Sequence, residues 1–452
     1  MSAVLDKHAF GQASPDQRQT DIWKYMQRGL VYPSPHAIFA TFWLNNQISR
    51  SDLALIMANV RHHIHSEPHL KGCNTTAIVG VSFGLWKQIC ADEDLSVPKG
   101  MQLNFADEHN PDTSTVFARS AGSFADSEAD LWFHIKSDKA AACVDVEHYI
   151  KKLLGDRVAE CIAQPAASKS DQADGKKGKV LGCRFSENLN NPSNPITVAK
   201  HALAGPDDID HIGASYVLAQ RFVINWEQIK AMSEDQIEDL IGRKTDDTII
   251  PNRDTRSHIK SARQQDEQGN TKTVLRLGLP YGRAASVNND NKPVPGTTAA
   301  DERGIYFAGF AKSATILENI MNNQVGSVPG YMNDRLFNNA KSNLGGFFYI
   351  PSVADLGLDV IPQYANDFSK LDKGDWRRFP GVDWSRLDRH FDKSSENGLM
   401  FYNHKNYLYR MSTLSNEEKQ QIHAPTTRIL SCLLYTSPSP RDLSTSRMPS
   451  SA

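Results

Sequence analysis

The sequence predicts an α+β protein made of duplicated ferredoxin-like domains, antiparallel sheets with helices packed on them. Three observations carry this expectation. Apolar, β-rich runs alternate with helical periodicity in the order strand, helix, strand, strand, helix over a first unit of about 130 residues. A polar stretch, residues 166–179, interrupts the chain and is nearly free of large apolar side chains. A similar order of elements follows it, without a sequence-level repeat that would prove duplication.

The elements can be taken in turn. His36–Leu44 is an apolar run after Pro33 and Pro35 and reads as the opening strand. Asp52–His63 carries Leu53, Leu55, Ile56 and Val60 at helical spacing, and Ile64 just beyond continues it. Thr76–Val81 reads as a strand, Gly84–Ile89 as a short helix, Asp130–Lys136 as a strand and Val144–Leu154 as a helix. After the polar stretch, Ala214–Asn225 is a strand. Within Trp226–Ile241 the Ser233-x-x-Gln236 pattern signs a helix start, because the serine and glutamine side chains can satisfy each other's backbone donors. Thr273–Leu279 and Gly304–Phe310 supply further strands, and Thr315–Asn323 a helix. The expected divisions are an N-terminal extension (1–29), two ferredoxin-like domains (30–165 and 180–330) around the linker, and a C-terminal extension (331–431). The stretch 432–452 reads as a translated sequencing adapter and is excluded from fold reasoning.

Composition bounds the function. With 50 basic and 52 acidic side chains, the formal charge of −2 gives no electrostatic case for nucleic acid or an anionic membrane as main partner. No apolar run approaches the roughly 18 residues of a membrane span, and the N-terminal 24 residues hold no apolar signal core, so the expected compartment is the cytoplasm. The six cysteines show no Cys-x-x-Cys pair, which argues for reduced thiols over a zinc, iron–sulfur or covalent c-type haem site. The run His62-His63-x-His65 spreads over different helix faces and reads as a solvated polar edge.

One constellation names a cofactor. His258 lies at the end of a helical segment, and Arg276, eighteen residues on, lies on the following strand. A neutral imidazole can ligate a haem iron, and an arginine that keeps its charge in an apolar pocket can face the opposite side, where peroxide must be split. A lone histidine and arginine would be weak evidence. Here they stand in order with Arg276-x-x-x-Pro280-Tyr281, Gly304-Ile-Tyr-Phe307, Asp130-Leu-Trp-Phe-His-Ile135 and Ile241-Gly-Arg243 followed by Lys244. This set, over roughly residues 30–330, resembles the dye-decolourising (DyP-type) haem peroxidases.

The resemblance implies one non-covalent haem b per chain, with His258 as proximal iron ligand and Arg276 as distal catalyst. It implies hydrogen peroxide and an organic reductant as substrates. It also points to Glu318 as the carboxylate behind His258, to Lys260 and Arg263 as partners of the haem propionates, and to Asn188 on the distal side. The chain departs from the family at two places. The family motif Gly-x-x-Asp-Gly-Thr-x-Asn-Pro becomes Gly182-Cys-Arg-Phe-Ser-Glu-Asn-Leu-Asn-Asn-Pro192, with Phe185 or Ser186 where the aspartate belongs. Glu187 is then the acid at hand for proton transfer, against a reading as a solvated loop carboxylate. Two residues after Arg276, where some members carry a polar side chain, stands Gly278, which predicts a roomier pocket. The missing aspartate motivates a second reading, a haem-binding or haem-handling protein with little peroxidase turnover. Tyr281, Tyr306 and Trp132 read as core aromatics rather than electron relays. Whether copies assemble into a homo-oligomer, the sequence leaves open.

Overall fold

The computed structural model describes residues 25–357 apart from 28, 31–33, 104–122, 169–178, 181–184, 187–190, 193–194, 266–270, 273, 283–302 and 328–331. In the first half, β1 (His36–Leu44), α1 (Arg50–Ser66), β2 (Thr76–Ser82), α2 (Phe83–Asp92), β3 (Leu131–Ser137), α3 (Ala140–Leu154) and β4 (Val158–Ala167) follow one another. The starts of α1 and α2 are set locally. Ser49 and Asp52 form a reciprocal capping box, and Ser82 Oγ accepts from the Leu85 N–H. In the second half come α4 (Pro195–Ala202), β5 (Ser215–Ile224), α5 (Trp226–Ala231), α6 (Glu234–Ile241), α7 (His258–Ser261), β6 (Leu275–Arg276), β7 (Leu279–Tyr281), β8 (Gly304–Ala311), α8 (Ala314–Gln324) and β9 (Ala340–Ile350).

The strands form one nine-stranded sheet, in the order β6-β8-β5-β9-β2-β3-β1-β4, with β7 also paired to β8. With β6 and β7 counted as one interrupted strand, both halves repeat the order second, third, first, fourth, the arrangement of a ferredoxin-like unit. The duplication expected from the sequence is therefore present. The two units share one sheet because the last strand of the second half joins the first half, with Phe348 opposite Ser82 and Tyr349 opposite Val81.

Two boundaries need correction. The second unit does not end at 330: β9 at Ala340–Ile350 pairs along β5 and closes it. The expected linker also begins too early, because β4 runs to Ala167 and pairs with β1 throughout.

Alternation along each strand separates two cores. On the helix-covered face, Ile38, Ala40 and Phe42 of β1 meet Leu53, Met57 and Val60 of α1, while Leu218 of β5 lies with Leu317 and Met321 of α8. The opposite face gathers Phe39, Trp132, Tyr306, Phe310 and Phe348 with Val198 and Ala199 of α4. Phe39 on β1 stacks on Tyr306 on β8 at 4.0 Å between ring centres, although the two strands are far apart in the sheet order. The outer strands β4 and β7 also approach each other. The sheet curls on itself like a barrel, with these aromatics inside.

Candidate active site

The C-terminal unit sets His258 in place through its neighbours. Helix α6 starts with the capping box of Ser233 and Gln236 and stops at Gly242, whose φ of 87° lets the chain turn back. A Cβ at Gly242 would lie 2.7 Å from Ser257 Oγ and 2.8 Å from Arg253 Cδ, so glycine is what allows the segment before His258 to pack there. Ser257 is fully buried, N-caps α7 and donates its hydroxyl to Asp254 O at 2.7 Å. His258 is thus the first residue of a single helical turn, not the end of a longer helix.

His258 Nδ1 lies 2.7 Å from Asp334 Oδ2, and the Asp334 side chain is completely shielded from solvent. The same carboxylate oxygen accepts from Ser261 Oγ at 2.8 Å, and the other oxygen accepts the Leu336 N–H at 2.9 Å. Burial alone would raise the Asp334 pKa. The paired charge of His258 and the hydrogen bonds from His258, Leu336 and Ser261 overcome that and hold it below the usual carboxylate range. A carboxylate acceptor on Nδ1 makes that nitrogen the donor, so that when the imidazole is neutral its lone pair lies on Nε2, the arrangement of a metal-ligating histidine. Asp334 therefore holds the place expected of Glu318. Glu318 is fully buried in α8, but the carboxylate bonded to His258 Nδ1 is Asp334.

Arg276 lies on β6 opposite Gly309 of β8. Its backbone is held from the other side by Asn191. The Arg276 N–H donates to Asn191 Oδ1 at 3.0 Å, Asn191 Nδ2 donates to Arg276 O at 2.6 Å, and Arg276 Nε reaches the same Oδ1 at 3.3 Å. One side chain thus supplies a missing ladder strand. The Asn191-Pro192 anchor was legible, but not its role. Glu187 and Asn188 lie outside the described residues. Gly278 does not make room in a pocket. A Cβ there would lie 2.4 Å from Tyr306 O and 2.9 Å from Phe307 Cα, so this glycine lets the chain press against β8 between β6 and β7.

A cationic cluster surrounds these residues. Arg276 is lowered by burial and by the charge of Arg243, Arg243 by burial and by Arg253, and Arg253 by burial and by Arg263. Each guanidinium is therefore close enough to its neighbour to destabilise its charge. Arg253 Nε is buried with no hydrogen-bond partner among the described residues. Lys260 and Arg263 are exposed, and Arg263 belongs to this cluster through Arg253. Sequence spacing gave no signal for the roles of Arg243 and Arg253.

Elsewhere the other readings can be compared. Trp132 Nε1 donates to Tyr306 Oη at 3.0 Å inside the barrel, and Tyr281 Oη donates to Phe222 O under the guanidinium of Arg221, as core aromatics would. His63 stacks on Tyr149 and lies 2.6 Å from Asp145, so it is not merely solvated. Among the described residues, no group of three or more His, Cys, Asp or Glu side chains is placed to hold a metal ion. Cys73, Cys90, Cys143 and Cys161 are free thiols, and no described helix is long and apolar enough to cross a membrane.

Residues 183–355, the part that carries the site, match the family model for Dyp-type peroxidase, C-terminal. A dye-decolorizing peroxidase of Mycobacterium tuberculosis is 26% identical over 50% of this chain and 61% of its own length, so this chain spans about three fifths of that relative. The Brevibacterium linens dye-decolorizing peroxidase is 23% identical over 73% of this chain and 81% of its own. Among solved structures, DyPB from Rhodococcus jostii RHA1 superposes with a TM-score of 0.58 at 21% identity, covering 74% of this chain and 98% of its own. That likeness shows the fold, and a variant of DyPB has been solved in complex with heme. By the match of its C-terminal unit and the likeness to these relatives, the chain is similar to the DyP-type peroxidases and shares their fold.

Proposed function

We propose that this protein is a haem-dependent peroxidase that uses hydrogen peroxide to oxidise an organic electron donor. The observation that carries the reading is His258, with Nδ1 committed to buried Asp334 and Nε2 left as a ligand. The residues present fit haem b, held without a covalent bond, one per chain. His258 offers the iron ligand. Arg243, Arg253 and Arg263, which repel one another and include an unpartnered buried Nε, suit the two carboxylates of a porphyrin. Lys260, exposed beside them, adds charge. When bound, the haem supplies the redox chemistry that peroxide reduction requires.

The chain's own contribution is positioning and charge. Asp334 holds the imidazole in one tautomer and makes it more basic. Arg276, clamped by Asn191, supplies a guanidinium that stays protonated despite burial. It is suited to steady negative charge on the departing oxygen as the O–O bond lengthens. Glu187 is the acid that the sequence offers to move a proton between the peroxide oxygens, with Asn188 beside it. Neither residue needs to touch the iron. The cytoplasm is the proposed compartment.

The test is an absorption spectrum of the purified protein, before and after added haemin, followed by peroxide and a dye donor. A Soret band saturating at one haemin per chain is expected, with peroxide-dependent dye oxidation. His258→Ala should remove the band, and Arg276→Ala should keep it but slow peroxide consumption by about 100-fold or more, as loss of a charge-stabilising donor does. A wild-type protein that takes up no haemin overturns the proposal. Uptake without peroxide consumption would make the chain a haem carrier instead.

A further inference from the structure

The geometry points to Asp247 as the residue that positions Arg276, working through Ser186 and Asn191. This inference rests on the haem reading above for its consequence, but its contacts stand without it. Asp247 adopts a φ of 73°, a left-handed conformation that aspartate tolerates better than most residues. In that conformation its carboxylate takes both polar hydrogens of Ser186: the N–H to Oδ1 at 3.1 Å and the hydroxyl to Oδ2. Its carbonyl accepts from Arg243 Nη1 at 2.8 Å. Five residues beyond Ser186, Asn191 grips Arg276 by its N–H, its C=O and its Nε.

Ser186 and Asn191, five residues apart in the chain, are thus each fixed by side-chain hydrogen bonds. Ser186 is fixed to the loop that follows Arg243, and Asn191 to the strand that carries Arg276. Asp247 also acts on the charge of Arg243, which in turn bears on Arg276. Removing the Asp247 carboxylate would release the first tie and strip the cationic pair of a compensating charge at once. Asp246, next to it, makes a useful contrast. Its carboxylate is exposed and bonds within the same loop, to Thr248 N and Oγ1 at 2.9 and 2.7 Å. Losing it disturbs the loop but not the tie to Ser186.

The experiment compares Asp247→Asn, Asp247→Glu and Asp246→Asn in the full chain. Two readouts are used: hydrogen exchange of the Arg276 amide without added haemin, and the affinity of the haemin-loaded protein for fluoride, an anion that reports on a distal cation. Asp247→Asn should speed exchange at Arg276 and weaken fluoride binding, each by about tenfold. Asp247→Glu should recover most of both, and Asp246→Asn should leave both within about twofold. The proposal is overturned if Asp247→Asn matches wild type at Arg276, or if Asp246→Asn changes it equally. If wild type takes up no haemin, the proposed function fails, and the exchange measurement alone decides whether Asp247 positions Arg276.

Discussion

Asp334→Asn is the sharpest perturbation of this site, because it preserves shape and changes one proton. In the wild type the carboxylate accepts from His258 Nδ1, Ser261 Oγ and the Leu336 N–H, at 2.7, 2.8 and 2.9 Å. An asparagine can keep its amide oxygen on the Leu336 N–H and so preserve the cap of the turn that follows. Its NH2 then faces His258. To accept from that NH2 the imidazole must move its proton to Nε2, the nitrogen proposed to ligate iron. The loss is one charge-assisted hydrogen bond, about 1.5–3 kcal/mol. That range agrees with the 10–100-fold loss of metal affinity typical when the partner of a ligating histidine is removed, about 1.4–2.8 kcal/mol. A haemin titration followed at the Soret band measures it directly. Glu318→Gln is the control: it alters a fully buried carboxylate on α8 and should leave haemin affinity within about twofold, whatever it costs in stability. The reasoning is refuted if Asp334→Asn binds haemin like wild type, or if Glu318→Gln loses more.

Three further outcomes are expected. Gly278→Ala places a Cβ 2.4 Å from Tyr306 O, a backbone atom that cannot swing away, so thermal unfolding should show a loss of about 1–3 kcal/mol. An unchanged Tm would mean that this segment is free to shift. Lys136 is fully enclosed, its Nζ bonded to Gly29 O, and burial lowers its pKa from 10.5 to about 7. Between those values the unfolded chain holds more protons than the folded one, so this lysine makes stability rise with pH. Lys136→Met should flatten that slope and stabilise most below about pH 7, by at most about 5 kcal/mol; denaturant titrations at about pH 6 and pH 9 would show it. Burial would lower His211, but the hydrogen bond and charge of Asp355, with Asp208 and Asp210, raise it overall. That contribution is complete below the unfolded value near 6.5 and fades as pH rises through the folded one. Asp355→Asn should therefore cost more at about pH 6 than at about pH 9, and an equal cost at both would refute the pairing.

The sequence was legible where local chemistry decides the outcome. β1 spans the expected His36–Leu44, and the Ser233–Gln236 box starts α6 as its spacing implied. It was illegible where a partner far along the chain decides. After Ala340, β9 continues with Lys341, Ser342 and Asn343, carries a register shift between Ser342 and Leu344, and contains Gly345-Gly346, all of which look like a turn. It is a strand because β5 and β2 receive it on either side. Leu277-Gly278 likewise breaks a run that reads as one strand, because close contact with β8 splits it into β6 and β7. His258 and Arg276 could be singled out as candidates by their order in the chain. Asp334 could not, since it stands 76 residues after His258 in a segment without strong periodicity.

The site also conflicts with the rules that govern the rest of the molecule, and the conflict has a direction. Bringing Arg276, Arg243, Arg253 and Arg263 into successive range is costly, because burial of the first three and like charge both disfavour ionisation, and Asp247 offsets this at Arg243 only in part. Burying Asp334 to hold a histidine that is itself about one third exposed is also a poor way to stabilise a turn, since an N-cap at the surface would serve. Such costs persist where an interaction outside the chain offsets them. A flat dianionic ligand with a metal at its centre, as proposed above, would offset both together: its carboxylates would compensate the guanidinium cluster, and its metal would take the nitrogen that Asp334 keeps available. Neither feature alone would select that group. Together, with His258 and the arginines on the stretch from Arg243 to Arg276 and Asp334 reaching it from 76 residues beyond His258, they support the haem proposal.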